Sequence, residues 1–284
     1  MKGSWTLLAG AVCLLQLGKS VATESKPPTQ LFVAGDSTAS RYDSGNQQGW
    51  AAVLQPLFDE DKLRVVNAAL PGRSSRTFIT EGHWDRLLAS VKPGDFVIIQ
   101  FGHNDGRPIK PEPGSQHPSR ARGSIPGVGD ESEDIDNVVT GKRETVRTFG
   151  WYLRKMIADS KARRATPILV TTTTPNAWTA RGVFCASKTH RLWTYQTAAR
   201  ENVALVDLTR ITADRYQRLG AVTVAGQFVD PMHTNIAGAE ANAEDVVAGL
   251  RTLRGLPFES MLSARGQKVP RDPGRSEGSR CMAL

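Results

Sequence analysis

Apolar positions in this chain fall into short continuous runs separated by stretches with helical spacing. Residues 30–35 (QLFVAG) are an apolar run that ends in glycine, which predicts a strand, and residues 63–67 predict a second. Helical spacing covers residues 49–58 and 84–91, the latter closed by Pro93-Gly94. Residues 95–101 (DFVIIQF) are nearly all apolar, as expected for a strand buried on both faces. Residues 106–140 break the pattern. They are rich in Pro, Gly, Arg and acidic residues without periodicity, and read as a long insertion of functional or disordered character. A helix is predicted over 144–161, with Val146, Phe149, Leu153, Met156 and Ile157 on one face. The pattern then gives a strand over 167–173, a helix over 187–201, a strand over 203–207, a helix over 211–219 and a long helix over 237–253. Order is expected to fade after Gly255, leaving 256–284 as a basic, disordered tail.

Strand and helix alternate about five times. That pattern predicts an α/β fold: a three-layer α/β/α sandwich around a central parallel sheet of about five strands. The 284 residues suffice for one domain with a full core, placed at residues 23–255. Residues 1–22 read as a signal peptide. Lys2 gives a positive start, residues 6–17 a short apolar run, and Ser20-Val21-Ala22 a cleavage site. The expected location is therefore the periplasm or the medium. No later apolar run is long enough to span a membrane.

Of three cysteines, Cys13 lies in the leader. Cys185 and Cys281 can form a disulfide in an oxidising compartment or remain free thiols. Beyond residue 22 the chain has 34 basic and 28 acidic residues. A basic exported protein attracts acidic partners such as uronate polymers. Export and the absence of a nucleic-acid motif argue against nucleic acid.

In a parallel sheet with helices on both faces, sites gather at the carboxyl ends of the strands. Four blocks stand there: Gly35-Asp36-Ser37-Thr38, Pro71-Gly72-Arg73-Ser74, Gly102-His103-Asn104-Asp105, and Asp230-Pro231-Met232-His233 before the last helix. A serine hydroxyl needs a base to become nucleophilic, and histidine has the right pKa. The histidine needs a carboxylate on its other nitrogen, and Asp230 stands three residues before His233. The oxyanion needs aimed donors, and the backbone N–H groups of Ser37 and Gly72 and the Asn104 amide suit that role.

These blocks, in this order, resemble the SGNH, or GDSL, hydrolases over residues 30–254. GDSTAS, NAALPGRSSRTF, QFGHND, RARGSIPG, TGKRETVRTFGWYLRKMI and HTNIAGAE are similar to the bacterial rhamnogalacturonan acetylesterases. Those enzymes remove acetyl groups from the rhamnose–galacturonate backbone of pectin, and relatives act on acetylated xylan. The resemblance implies a flavodoxin-like SGNH fold and no metal or organic cofactor. It also implies Ser37 as nucleophile, Asp230 and His233 as its partners, Ser37, Gly72 and Asn104 as oxyanion donors, and an acetylated plant cell-wall polysaccharide as substrate. The family pattern usually reads Asp-x-x-His-Thr-Ser, whereas Asn235 stands at the last position here, which bears on substrate fit more than on chemistry. Acetylxylan or a small ester is the alternative substrate. A non-catalytic carbohydrate-binding protein is the alternative role, and the complete set of catalytic residues argues against it.

Three further residues are candidates for substrate binding. Arg73 and Arg76 lie on the Gly72 loop and can pair with a uronate carboxylate. Trp178 follows a strand and can stack on a sugar. Asp36 is expected to order the nucleophile turn, His103 to be structural, and Asp207 to lose to Asp230 as the triad acid.

Overall fold

The fold is that of a computed structural model, which describes residues 1–3, 27–137, 140–185, 188–275 and 281. The predicted signal peptide falls almost wholly on residues 4–26, outside the described residues.

The chain runs β1 (Thr29–Gly35), β2 (Leu63–Asn67), α1 (Ser75–Thr80), α2 (His83–Ser90), β3 (Phe96–Gln100), β4 (Ser132–Asn137), β5 (Lys142–Arg147), α3 (Phe149–Ala162) and β6 (Thr166–Val170). It continues through β7 (Trp178–Thr179), β8 (Gly182–Val183), α4 (Lys188–Glu201), β9 (Ala204–Val206), α5 (Leu208–Leu219), α6 (Ala221–Ala225), α7 (Ile236–Leu250) and α8 (Ala264–Gln267). Five strands form the central sheet in the order β2-β1-β3-β6-β9, and every pair in it is parallel. This is the expected three-layer α/β/α sandwich.

Strand alternation divides the core in two. Leu31, Val33, Ile98, Ile168 and Val206 face one side, where they meet Trp50, Leu54 and the Val246–Val247 stretch of α7. Phe32, Ala34, Val97, Ile99 and Leu169 face the other, against Phe78, Trp84, Phe149, Leu153 and Met156. The sheet order reverses at β1, which has β2 on one side and β3 on the other. A crevice opens at such a point beyond the carboxyl ends of the strands. Ser37 follows β1 and Asn104 follows β3, so both stand at this reversal.

The structure departs from the sequence pattern in several places. Residues 49–58 form two short 3-10 turns, Trp50–Val53 and Gln55–Leu57, instead of one helix. The helix expected from residue 144 begins at Phe149, capped by the Thr148 hydroxyl, which accepts from Trp151 N–H at 3.0 Å. Residues 142–147 are instead β5, paired antiparallel with β4. Part of the insertion is thus a hairpin. Its order comes from backbone pairing, with Ile135 and Val146 the buried apolar residues of its strands.

The described residues after Gly255, 256–275 and 281, are packed rather than disordered. Phe258, Leu262 and Val269 are buried, Phe58 and Leu262 form a β-bridge, and Arg210 pairs with Asp272. Cys281 is disulfide-bonded to Cys185, with Cα atoms 5.5 Å apart. Among the described residues, no helix is long and apolar enough to cross a membrane.

Candidate active site

The Gly35-Asp36-Ser37-Thr38 turn is built by its own polar groups. Asp36 is fully buried, and its Oδ1 accepts from the Thr38 N–H and hydroxyl, each at 2.9 Å. Ser40 Oγ donates to the Asp36 carbonyl at 2.8 Å. Asn67 ties this turn to the next loop: its amide donates to the Ala39 carbonyl at 2.9 Å and its oxygen accepts from Ala69 N–H at 3.0 Å. Leu70 N–H donates to the Gly35 carbonyl at 3.0 Å. The β1 and β2 loops are therefore tied to each other, with Ser37 partly exposed at the crevice.

His233 reaches Ser37 from the turn before α7. Its Nε2 lies 2.9 Å from Ser37 Oγ, and its Nδ1 lies 2.7 Å from Asp230 Oδ2. The other Asp230 oxygen accepts from the Met232 and His233 N–H groups, at 2.7 and 2.8 Å. Partial burial pushes the Asp230 carboxyl up. The hydrogen bonds from His233 and from the two backbone N–H groups outweigh it and hold the carboxyl below its ordinary value. It is therefore ionised near neutral pH and orients the imidazole with Nε2 toward the serine.

On the opposite side, Gly72 adopts φ of 74°, a conformation that favours glycine. A Cβ there would also stand 2.6 Å from Arg122 Nη1. The backbone N–H groups of Ser37 and Gly72 have no hydrogen-bond partner among the described residues. Asn104 is buried and donates one amide hydrogen to the Arg73 carbonyl at 3.0 Å, leaving its second for the pocket. Ser37, Gly72, Asn104 and His233 all line one pocket of about 390 Å3. The Ser37 hydroxyl, the His233 imidazole and the residues that carry unpaired donors thus line a common space, the arrangement that acyl transfer needs.

The three candidate substrate contacts fare differently. Arg76 is fully buried. Its Nε and Nη2 form a bidentate pair with Glu144 at 2.7 and 2.8 Å, and its Nη1 donates to the Ile109 and Gly123 carbonyls, both at 2.9 Å. It anchors the insertion and cannot meet a substrate. Trp178 donates to Asn176 Oδ1 at 2.8 Å and packs beside the Cys185–Cys281 bridge, away from the pocket. Arg73 pairs with Glu81 at 2.8 Å and lines a neighbouring groove.

Other residues stand where the sequence reading did not look. Tyr42, Gln47, Arg107 and Arg122 line the pocket. Tyr42 donates to the Ser37 carbonyl at 3.2 Å, and burial together with the Asp36 and Asp230 carboxylates raises its hydroxyl pKa, so it stays protonated. His103, read as structural, is half-buried in the pocket wall, with Nε2 3.4 Å from Thr173 Oγ1. Burial lowers its pKa against an opposing pull from Asp36, and His233 lowers it further, which favours the neutral ring. Asp207 pairs with Arg191 at 2.5 Å and caps α5, as its rejection for the triad requires. Among the described residues, no group of three or more His, Cys, Asp or Glu stands where it can hold a metal ion.

The GDSL-like lipase/acylhydrolase family model matches residues 33–241. The chain is 31% identical over 244 residues to the probable rhamnogalacturonan acetylesterase YesY of Bacillus subtilis, covering 83% of this chain and 98% of that protein. It is 32% identical over 216 residues to the rhamnogalacturonan acetylesterase of Emericella nidulans, covering 75% of this chain and 81% of the relative. The solved structure of the Bacillus subtilis YxiM protein aligns with a TM-score of 0.63 at 25% identity, over 81% of this chain and 58% of that one. The chain spans little more than half of YxiM, so that comparison bears on the shared domain. With a matched model that begins two residues before Gly35 and ends inside α7, this chain belongs to the GDSL-like lipase/acylhydrolase family and is a carboxylic ester hydrolase.

Proposed function

We propose that this chain is an exported esterase that removes O-acetyl groups from pectic rhamnogalacturonan. The observation that carries the chemistry is the hydrogen-bonded series Asp230–His233–Ser37, opening onto unpaired N–H donors. The substrate rests on the two rhamnogalacturonan acetylesterases at 31% and 32% identity. Export is supported by the predicted leader and by the Cys185–Cys281 disulfide, a bond that persists in oxidising compartments.

In this reading Ser37 Oγ attacks the acetyl carbonyl while its proton passes to His233 Nε2. The oxyanion accepts from the Ser37 and Gly72 N–H groups and from the second Asn104 amide hydrogen. Each such donor is worth roughly 3 kcal/mol in a water-excluded site. Asp230 stays ionised and stabilises the imidazolium. His233 returns the proton to the departing sugar oxygen. It then takes a proton from water, whose oxygen attacks the acetyl-enzyme, and acetate leaves as Ser37 recovers its hydrogen.

The test is acetate release from acetylated rhamnogalacturonan, acetylxylan and p-nitrophenyl acetate, by the wild type and by Ser37→Ala. The variant is expected to lose on the order of 10^6 in kcat with an unchanged melting temperature. The pectic polymer is expected to be the better polymeric substrate. Activity retained in Ser37→Ala overturns the mechanism. A preference for xylan overturns the substrate assignment and leaves the mechanism standing.

A further inference from the structure

Arginines crowd one side of the catalytic pocket, and their pairing differs. Arg73 has Glu81 and Arg76 has Glu144 as ion-pair partners. Arg107 and Arg122 line the catalytic pocket itself, and neither side chain has an acidic partner or a hydrogen bond among the described residues. Arg122 Nε is buried with nothing to donate to. Burial lowers the Arg122 pKa, and the nearby charges of Arg107, Arg73 and Arg120 lower it further, against a smaller opposing pull from Asp36. The fold holds like charges together where a free carboxylate would pair with them. A buried, unsatisfied guanidinium nitrogen is costly, and an anion accepting from it removes that cost.

Placement narrows the ligand. Arg122 lies against Gly72, a donor in the mechanism proposed above, so an anion bound by Arg122 would stand beside the acetyl group. Grooves adjoin the pocket on two sides. Arg122 is shared with the groove that holds Arg73, and Arg107 with one lined by His190 and Trp193. Sugars on either side of the acetylated one would meet these grooves, and an aromatic wall suits the face of a sugar ring.

We propose that Arg107 and Arg122 form a carboxylate subsite for a uronate residue of the polymer, at or next to the acetylated sugar. The inference rests on the pectic reading above, and it assigns specificity to the insertion instead of to Arg73 or Arg76.

Inhibition of p-nitrophenyl acetate hydrolysis tests the subsite without requiring that any polymer be deacetylated. The inhibitors are digalacturonate and its carboxyl-reduced, neutral counterpart. The readout is the ratio of their inhibition constants, which is independent of what a substitution does to turnover. The wild type is expected to bind the acid at least about tenfold more tightly than the neutral sugar, as charge-assisted pairs to two guanidiniums require. Arg122→Gln and Arg107→Gln should each shrink that ratio several-fold, and Arg122→Lys should recover part of it. Arg107 is exposed, so its variant tests the subsite even if Arg122→Gln fails to fold. Equal inhibition by acid and neutral sugar in the wild type overturns the proposal. So does a ratio that neither substitution changes, which would leave Arg122 serving the oxyanion loop alone. Failure of the pectic assignment appears separately, in the polymer comparison.

Discussion

The two walls of the catalytic pocket are built on opposite plans. The Asp230–His233 turn is shaped by hydrogen bonds between residues two and three apart in the chain, with long-range ties from Asn176 N–H to the Pro231 carbonyl and from His233 to Ser37, and the Asp230 side chain is 46% exposed. The facing wall, around Gly72, Asn104 and the insertion, is held by groups far apart in sequence. Arg76 pairs with Glu144 across 68 residues, and Asp105 takes the Ser75 N–H and hydroxyl from 30 residues away. Arg76 and Asp105 are both buried. The first wall costs little loop entropy and tolerates water. The second exists only once the fold has closed over it, and breaking a buried pair leaves an uncompensated charge. Chemistry should therefore be most sensitive at the exposed wall, and stability at the buried one.

The largest expected effect tests the exposed wall. Asp230→Asn keeps an oxygen for the Met232 and His233 N–H groups, so the turn should survive. It places an amide against His233 Nδ1 and removes the charge that stabilises imidazolium. In a buried triad the equivalent change costs about 10^4 in kcat. The half-exposed carboxylate here should approach that figure from below, with melting temperature unchanged. A variant with wild-type kcat on p-nitrophenyl acetate would show that the turn is not the base-orienting device.

Arg76→Met tests the other wall. It deletes a bidentate pair and two carbonyl contacts while leaving Glu144 without its cation. The cost should be about 3–5 kcal/mol, or roughly 6–20 °C in melting temperature. Adding Glu144→Gln should restore part of the loss, because the stranded charge goes with it. A fall of under about 2 °C for Arg76→Met would mean that the insertion is held by something else.

The same contrast explains what the sequence made legible. β1, β3 and β6 are mostly buried apolar runs, and the edge strands β2 and β9 are short, partly buried ones; one-dimensional pattern suffices to find such strands. Ser37, Asp230 and His233 sit in short turns at strand and helix ends, and four such blocks in order, with the family resemblance they carry, point to them. β4 reads SEDIDN, with Ile135 its one buried apolar residue, and such a strand gives no periodic signal. Val146 belongs to β5 yet fits the helical spacing of α3, which is why that helix seemed to begin early. The described part of the tail is held by three buried apolar residues, Phe258, Leu262 and Val269, by the disulfide and by the Arg210–Asp272 pair, too sparse a set for a periodic signal. Arg76 looked available and Arg122 went unnoticed because the deciding fact is which arginine has an acid beside it. That fact belongs to the folded chain.

The most gradual effect comes from Asp105, which joins the two plans by following Asn104 directly in sequence. Its Oδ1 accepts from Ser75 N–H at 3.1 Å and from Ser124 Oγ at 3.2 Å, binding the oxyanion side to α1 and to the insertion. Burial pushes this carboxyl up to about 7 from 3.8. The Asp36 charge adds to that rise, while the Ser75 and Ser124 hydrogen bonds oppose it. The folded chain therefore holds a proton on Asp105 that the unfolded chain gives up at lower pH. The stability this contributes is fully present below pH 3.8 and is lost as pH rises through about 7. Asp105→Asn keeps an acceptor for Ser75 and removes the titration. Denaturant midpoints of wild type and variant, taken at intervals from pH 4 to 8, should show the wild type losing stability relative to the variant. The slope should not exceed about 1.4 kcal/mol per pH unit, and it should flatten above the titration. A difference that stays constant across this range would mean that Asp105 is ionised throughout. The buried wall would then carry an uncompensated charge of its own, and its stability would rest more heavily on Arg76.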